Sequence, residues 1–114
     1  MEKTESREQQ LVIIHMWNKF PETRKLLWSV PNGGNRNALE AKRLKAEGLT
    51  PGVSDLIFMW KAKTYCIEMK LEHGGVQSKA QKEWQAIVEA QGFDYFLCHG
   101  AKAAIKVLEG IVLG

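Results

Sequence analysis

Cysteine and histidine are both scarce in this sequence, and that scarcity closes off two classes of protein. Two cysteines, Cys66 and Cys98, in 114 residues cannot build a disulfide framework. Both fall in apolar, strand-like runs, where a free thiol behaves as a small hydrophobe. With only three scattered histidines beside them, they lack the number and spacing of a zinc site. No apolar run approaches the roughly 20 residues that cross a bilayer. The charged N-terminus leads into a short mixed segment, which is not the pattern of a secretory signal. Low-complexity tracts and internal repeats are absent too. The expectation is one soluble domain over residues 1–114, cytoplasmic and without a membrane partner.

What the sequence does have is an uneven distribution of charge. Residues 1–50 hold nine Lys/Arg against six Asp/Glu, whereas residues 51–114 hold seven of each. The surplus gathers in Arg36, Lys42, Arg43 and Lys45, opposed by Glu40. A local basic face is the footprint of a polyanionic partner, and equally the solvated face of a helix.

The centre of the chain carries the chemistry. Gly52-Val53-Ser54-Asp55 leads into the apolar run Leu56–Trp60, a short Lys61-Ala62-Lys63 connection, and a second run from Thr64 through Glu68-Met69-Lys70. Two runs of strand length so close together predict a β-hairpin. Side chains alternate along a strand, so Cys66, Glu68 and Lys70 share one face and Tyr65, Ile67 and Met69 the other. If Asp55 folds in beside Glu68, two carboxylates at about 4 Å repel by roughly 4 kcal/mol at an effective dielectric near 20. A divalent cation converts that repulsion into a hard-oxygen site suited to Mg²⁺ or Mn²⁺. Removing either carboxylate should then leave the metal-free fold no less stable. Lys70, protonated, is no ligand, but it can orient water or offset developing negative charge. A surface strand with a solvated Glu and Lys is the plainer reading of the same residues.

The remaining elements follow from local signals. Residues 5–20 lack Gly and Pro until Pro21 and predict a helix with Leu11, Ile14 and Trp17 on its apolar stripe, widened by Val12, Ile13, Met16 and Phe20. Glu8 lies at the start of that stripe, where a helix dipole also favours a carboxylate. His15 reads as a packing or surface residue rather than a ligand. Leu26–Val30 reads as a strand, followed by the turn-rich Pro31-Asn32-Gly33-Gly34-Asn35. Asn37 can cap a helix over 38–47 that bears the basic cluster. Ser78 and Gln81 form a capping-box pattern for a helix over 79–90, with Trp84, Ile87 and Val88 facing the core. A strand over 93–98, a helix over 101–108 and a very apolar tail, Gly110–Gly114, complete the chain. The tail fits a last strand or a segment docked on a second subunit. The order implies an α/β domain in which a small central mixed β-sheet is flanked by helices.

Asp55, Glu68 and Lys70, preceded by Glu8 and Asn32-Gly33-Gly34 and followed by Ser78-Lys79-Ala80-Gln81, resemble the PD-(D/E)xK nuclease superfamily. More narrowly, they resemble its virus-type replication–repair nuclease (VRR-NUC) domain. The pattern departs at Ser54, where the family usually has Pro; Pro mainly stiffens the backbone, so no effect on chemistry is expected. The resemblance implies a restriction-endonuclease-like core and a Mg²⁺-dependent endodeoxyribonuclease, with Mn²⁺ able to substitute, in a bacterial or phage-infected cell. It further implies that Asp55, Glu68 and the Met69 carbonyl hold the metal, with Glu8 completing the site. Lys70 and Gln81 then join Glu8, Asp55 and Glu68 as catalytic residues. DNA is the expected partner, branched as in Holliday junctions, met by Asn32, Arg36, Lys42, Arg43 and Lys45 on a homodimer. A DNA-binding module that does not cut is the alternative from another class. A sequence-specific restriction-type endonuclease is a third, disfavoured because so short a chain has little room for a recognition domain.

Overall fold

The structure, a computed structural model, describes residues 3–31 and 37–114. Helix α1, Glu5–Lys19, starts where the Thr4 side chain accepts from the Arg7 N–H, and a single 3-10 turn, Pro21–Thr23, follows it. Strand β1 is Leu27–Ser29 and helix α2 is Ala38–Ala46. The hairpin comprises β2, Leu56–Trp60, and β3, Lys63–Lys70. Helix α3, Lys79–Ala90, strand β4, Asp94–His99, and helix α4, Ala101–Leu113, complete the domain. No helix among the described residues is long and apolar enough to cross a membrane.

The four strands lie in sequence order as a mixed sheet, with β1–β2 and β2–β3 antiparallel and β3–β4 parallel. This is the expected α/β plan, with two differences of detail. The hairpin turns on two residues rather than three, since Lys63 already pairs with Trp60. Lys61 and Ala62 both take positive φ, +47° and +68°, as the tightest hairpin turns require. The apolar tail is neither a strand nor a detached segment. It extends α4 to Leu113, with Ile111 and Val112 packed on the core and Leu113 exposed.

The core lies between the sheet and the α1–α4 pair. Val12 and Met16 of α1 and Ala104 and Leu108 of α4 bury against Leu27, Leu56, Phe58, Ile67 and Met69. The buried line of α1 is therefore Glu8, Val12 and Met16, four residues apart, which is narrower than the expected stripe. Leu11 and Ile14 stay exposed, and α4 meets α1 where His15 reaches Glu109, at 2.6 Å. Lys19 joins the same carboxylate at 3.1 Å and closes the α1–α4 seam. His15 is thus a surface pairing residue, as its sequence context suggested.

The remaining two helices are bound differently. No residue of α2 or α3 is buried. In α3, Trp84 and Val88 are half-buried while Ile87 is 62% exposed, so the expected three-residue core face reduces to two. What holds α3 in place is mostly polar, and that polarity leads to the site.

Candidate active site

The β2–β3 register sets Leu56 opposite Ile67, which brings Asp55, just before β2, level with Glu68. Asp55 does not simply face another carboxylate. Its Oδ2 accepts from the Met69 N–H at 2.8 Å, so it also closes the open end of the hairpin. N–H and C=O of one strand residue project to the same edge. The Lys70 carbonyl, accepting from Gly100 N–H at 2.8 Å, faces β4, and Met69 therefore turns its carbonyl towards Asp55.

The plainer reading of β3, a solvated face carrying Glu and Lys, is excluded. Residues Cys66 to Lys70 are buried on both faces of the strand, with Glu68 1% and Lys70 6% exposed. Burial first, then the adjoining Asp55 carboxylate, push the Glu68 carboxyl up to about 8, against a smaller opposing pull from Lys70. Glu68 Oε2 accepts from Gln81 Nε2 at 3.0 Å, while its Oε1 is buried with no donor turned to it, and the carboxyl's own proton is shared with the adjoining Asp55. Buried polar atoms rarely go unpaired. Two adjoining carboxyl groups that share one proton past neutral pH form a donor set that fits a hard divalent cation in place of the proton.

Gln81 ties the site together. It occupies the third position of α3, where its N–H donates to Ser78 Oγ at 3.2 Å and its Oε1 accepts from Ser78 N–H at 2.8 Å. The same Oε1 accepts from Lys70 Nζ at 2.9 Å. One side chain thus completes a capping box and spans the two charged residues of β3. From the sequence the cap alone sufficed to explain Gln81; in the fold the same side chain also reaches Lys70 and Glu68.

Glu8 is buried as well, but its Oε1 accepts from the Ala101 N–H at 3.3 Å. Helix α4 begins at Gly100 without a side-chain cap of its own, so Glu8 serves its positive end from the neighbouring helix. Among the described residues no group of three or more His, Cys, Asp or Glu is gathered closely enough to hold a metal. The structure therefore unites Asp55, Glu68, Lys70 and Gln81 and sets Glu8 against α4. Lys42, Arg43 and Lys45 are exposed on α2, with Arg43 paired to Glu47 at 2.9 Å. Asn32 and Arg36 lie outside the described residues.

Gly52 has a positioning role that the sequence reading did not give it. Its φ is +81°, and a Cβ there would collide with the Ala80 carbonyl and lie 2.9 Å from Gln81 N. The first turn of α3 rests directly on this glycine. The Pro51-Gly52 pair was the available signal, since such pairs mark turns with a positive φ. Ser54 is fully buried and donates its hydroxyl to the Leu56 carbonyl at 3.2 Å, so its side chain is satisfied locally.

The VRR-NUC domain model matches residues 2–102. The chain belongs to the VRR-NUC domain family. A solved structure described as a VRR_NUC domain protein superimposes with a TM-score of 0.83 at 21% identity, over 99% of this chain and 91% of that one. That likeness is one of fold. No curated protein matches the chain. VRR-NUC domains are a nuclease family, and this member has the family's α/β core.

Proposed function

We propose that this VRR-NUC domain is a Mg²⁺- or Mn²⁺-dependent endodeoxyribonuclease that hydrolyses phosphodiester bonds in branched DNA such as Holliday junctions. The observation that carries the reading is the buried Glu68 carboxyl, its proton shared with Asp55, two residues from a buried Lys70. Asp55, Glu68 and the Met69 carbonyl would hold the cation, with Glu8 in its outer sphere. A divalent ion supplies Lewis acidity towards a phosphoryl oxygen and makes water a better nucleophile at neutral pH.

The protein's own groups do the rest. Glu68 must shed its proton to bind the cation, and Gln81 Nε2 stabilises the resulting carboxylate. Lys70 spends one of its three donors on Gln81, which leaves donors for an attacking water or for the charge that grows on the phosphoryl oxygens. Branched DNA is the substrate class that the family resemblance suggests. A two-fold pair of chains suits it, because two related sites address two strands. The exposed Lys42, Arg43 and Lys45 of α2, with Asn32 and Arg36 ahead of them, would hold the arms through phosphates.

The test is incubation with four-way, nicked, single-stranded and duplex DNA in Mg²⁺, Mn²⁺ or EDTA. Cleavage of the branched form with either metal and none in EDTA is expected. Tight binding to every form with no cleavage under any condition would instead make the chain a non-cutting DNA-binding module.

A further inference from the structure

Tyr95 belongs to no part of the site described so far, yet it is placed to control it. It lies on β4 opposite Cys66, on the sheet face that carries Glu68, and is 92% buried. Its ring packs on Trp84 of α3 with centroids 6.1 Å apart. Its hydroxyl accepts from Gln77 Nε2 at 3.2 Å, and the same amide donates to Gln85 Oε1 at 2.8 Å. Gln77 immediately precedes Ser78, whose N–H donates to Gln81 Oε1.

This connectivity fixes which way the Gln81 amide points. A glutamine amide presents an acceptor at one end and donors at the other, and either could face Glu68. The Ser78 N–H requires an acceptor, so Oε1 turns to Ser78 and Lys70, and Nε2 is left to serve Glu68. Ser78 is held only as well as the segment before α3 is held. With no residue of α3 buried, Tyr95 is the buried group to which both Gln77 and Trp84 attach.

We propose that Tyr95, acting through Gln77 and Ser78, is the positioning residue for Gln81, and so keeps the amide's donor on Glu68 and its acceptor on the Lys70 ammonium. The catalytic meaning of this role rests on the nuclease reading; the orientation of Gln81 does not. Burial and the nearby Glu68 charge raise the phenol's pKa, so Tyr95 remains a neutral partner for Gln77 at any working pH.

Two measurements test it on Tyr95→Phe, which keeps the ring contact, and on Gln77→Ala, which breaks the same link from the loop should the first variant fold poorly. The first is the side-chain amide resonance pair of Gln81, assigned by its disappearance in Gln81→Ala. Both variants should move that pair towards exposed-glutamine positions and speed its hydrogen exchange; an unchanged pair overturns the proposal. The second is single-turnover cleavage with and without Gln81. Tyr95→Phe should lose about tenfold in rate in the parent and less than about twofold in a Gln81→Ala background, because a residue that acts through another adds nothing once that other is gone. Equal loss in both backgrounds, or none in the parent, overturns it. A parent that cuts no DNA would remove the nuclease reading alone, and the Gln81 resonances would still decide the orientation.

Discussion

Gln81 holds the Lys70 ammonium more closely than Glu68 does: Nζ lies 2.9 Å from the Gln81 carbonyl oxygen and 3.6 Å from Glu68 Oε2. The lysine is therefore shared between a close neutral acceptor and a longer ion pair with its neighbour on the strand. A neutral acceptor steadies the ammonium without quenching it, while the other end of the same amide serves the carboxylate. Such an arrangement keeps a buried cation and a buried carboxyl side by side with separate roles.

That separation can be measured. Lys70→Ala should abolish most cleavage while leaving a Mn²⁺ site detectable by calorimetry, because an ammonium is not a ligand. Lys70 is one of the groups that lowers the Glu68 pKa, so its removal should weaken Mn²⁺ binding at pH 7 and restore it towards parental affinity near pH 9. Loss of Mn²⁺ binding at both pH values would place Lys70 among the groups that build the cation site.

The Glu68 carboxyl also predicts a pH dependence of stability. Its folded pKa of about 8 lies above the ordinary 4.5, so the folded state binds the proton more tightly than the unfolded chain. The contribution is complete below pH 4.5 and is lost as pH rises through 8, at up to about 1.4 kcal/mol per pH unit. In thermal melts without divalent ions the parent should destabilise across this window, Mg²⁺ should protect increasingly as pH rises, and Glu68→Gln should flatten the curve. Asp55→Ala should behave otherwise than a purely repulsive carboxylate would. It strips the Met69 N–H of its acceptor, an effect of about 1–3 kcal/mol. At pH 5, where a protonated Glu68 leaves no repulsion to relieve, the variant should melt below the parent, and the gap should narrow by pH 9.

Gly52→Ala tests how α3 is seated. An alanine there is strained by its positive φ and meets the Ala80 carbonyl. The backbone strain alone costs about 1–2 kcal/mol, and relief of the clash must shift the first turn of α3 and Gln81 with it. The expected outcome is a lower melting temperature together with a loss of cleavage larger than any loss of DNA affinity. Parental activity in this variant would show that the position of α3 is not critical.

The basic helix can be tested by salt dependence. Combined Lys42→Ala, Arg43→Ala and Lys45→Ala should weaken binding to duplex arms, and the slope of log affinity against log salt should fall by roughly 0.9 for each phosphate contact removed. At saturating enzyme the single-turnover rate should stay near parental, since none of these residues adjoins Glu68. An unchanged slope would make the cluster only a solvated face of α2.

The sequence by itself determined the features set by residues within a few positions of one another. Asn37 caps α2 by accepting from Glu40 N–H at 2.7 Å, and Ser78 and Gln81 cap α3, because a cap is a local hydrogen bond. The hairpin, the bounds of α3 and the spacing of Asp55, Glu68 and Lys70 were legible for the same reason. Only the tertiary structure decided what each of these faces. Strand alternation divides Glu68 from Met69 but cannot say that both faces are covered, which depends on α1, α4 and α3 arriving from distant parts of the chain. The tail residues Ile111 and Val112 fit strand or helix on composition, as short apolar runs do, and their packing against the core settled the matter. Glu8 sits in the first turn of α1 yet caps α4, 93 residues away. Asp55 carries a charge by virtue of its side chain, but it became a backbone acceptor only because the hairpin register brought the Met69 N–H to it. Long-range contacts assign partners, and in a buried site the partner fixes the chemistry.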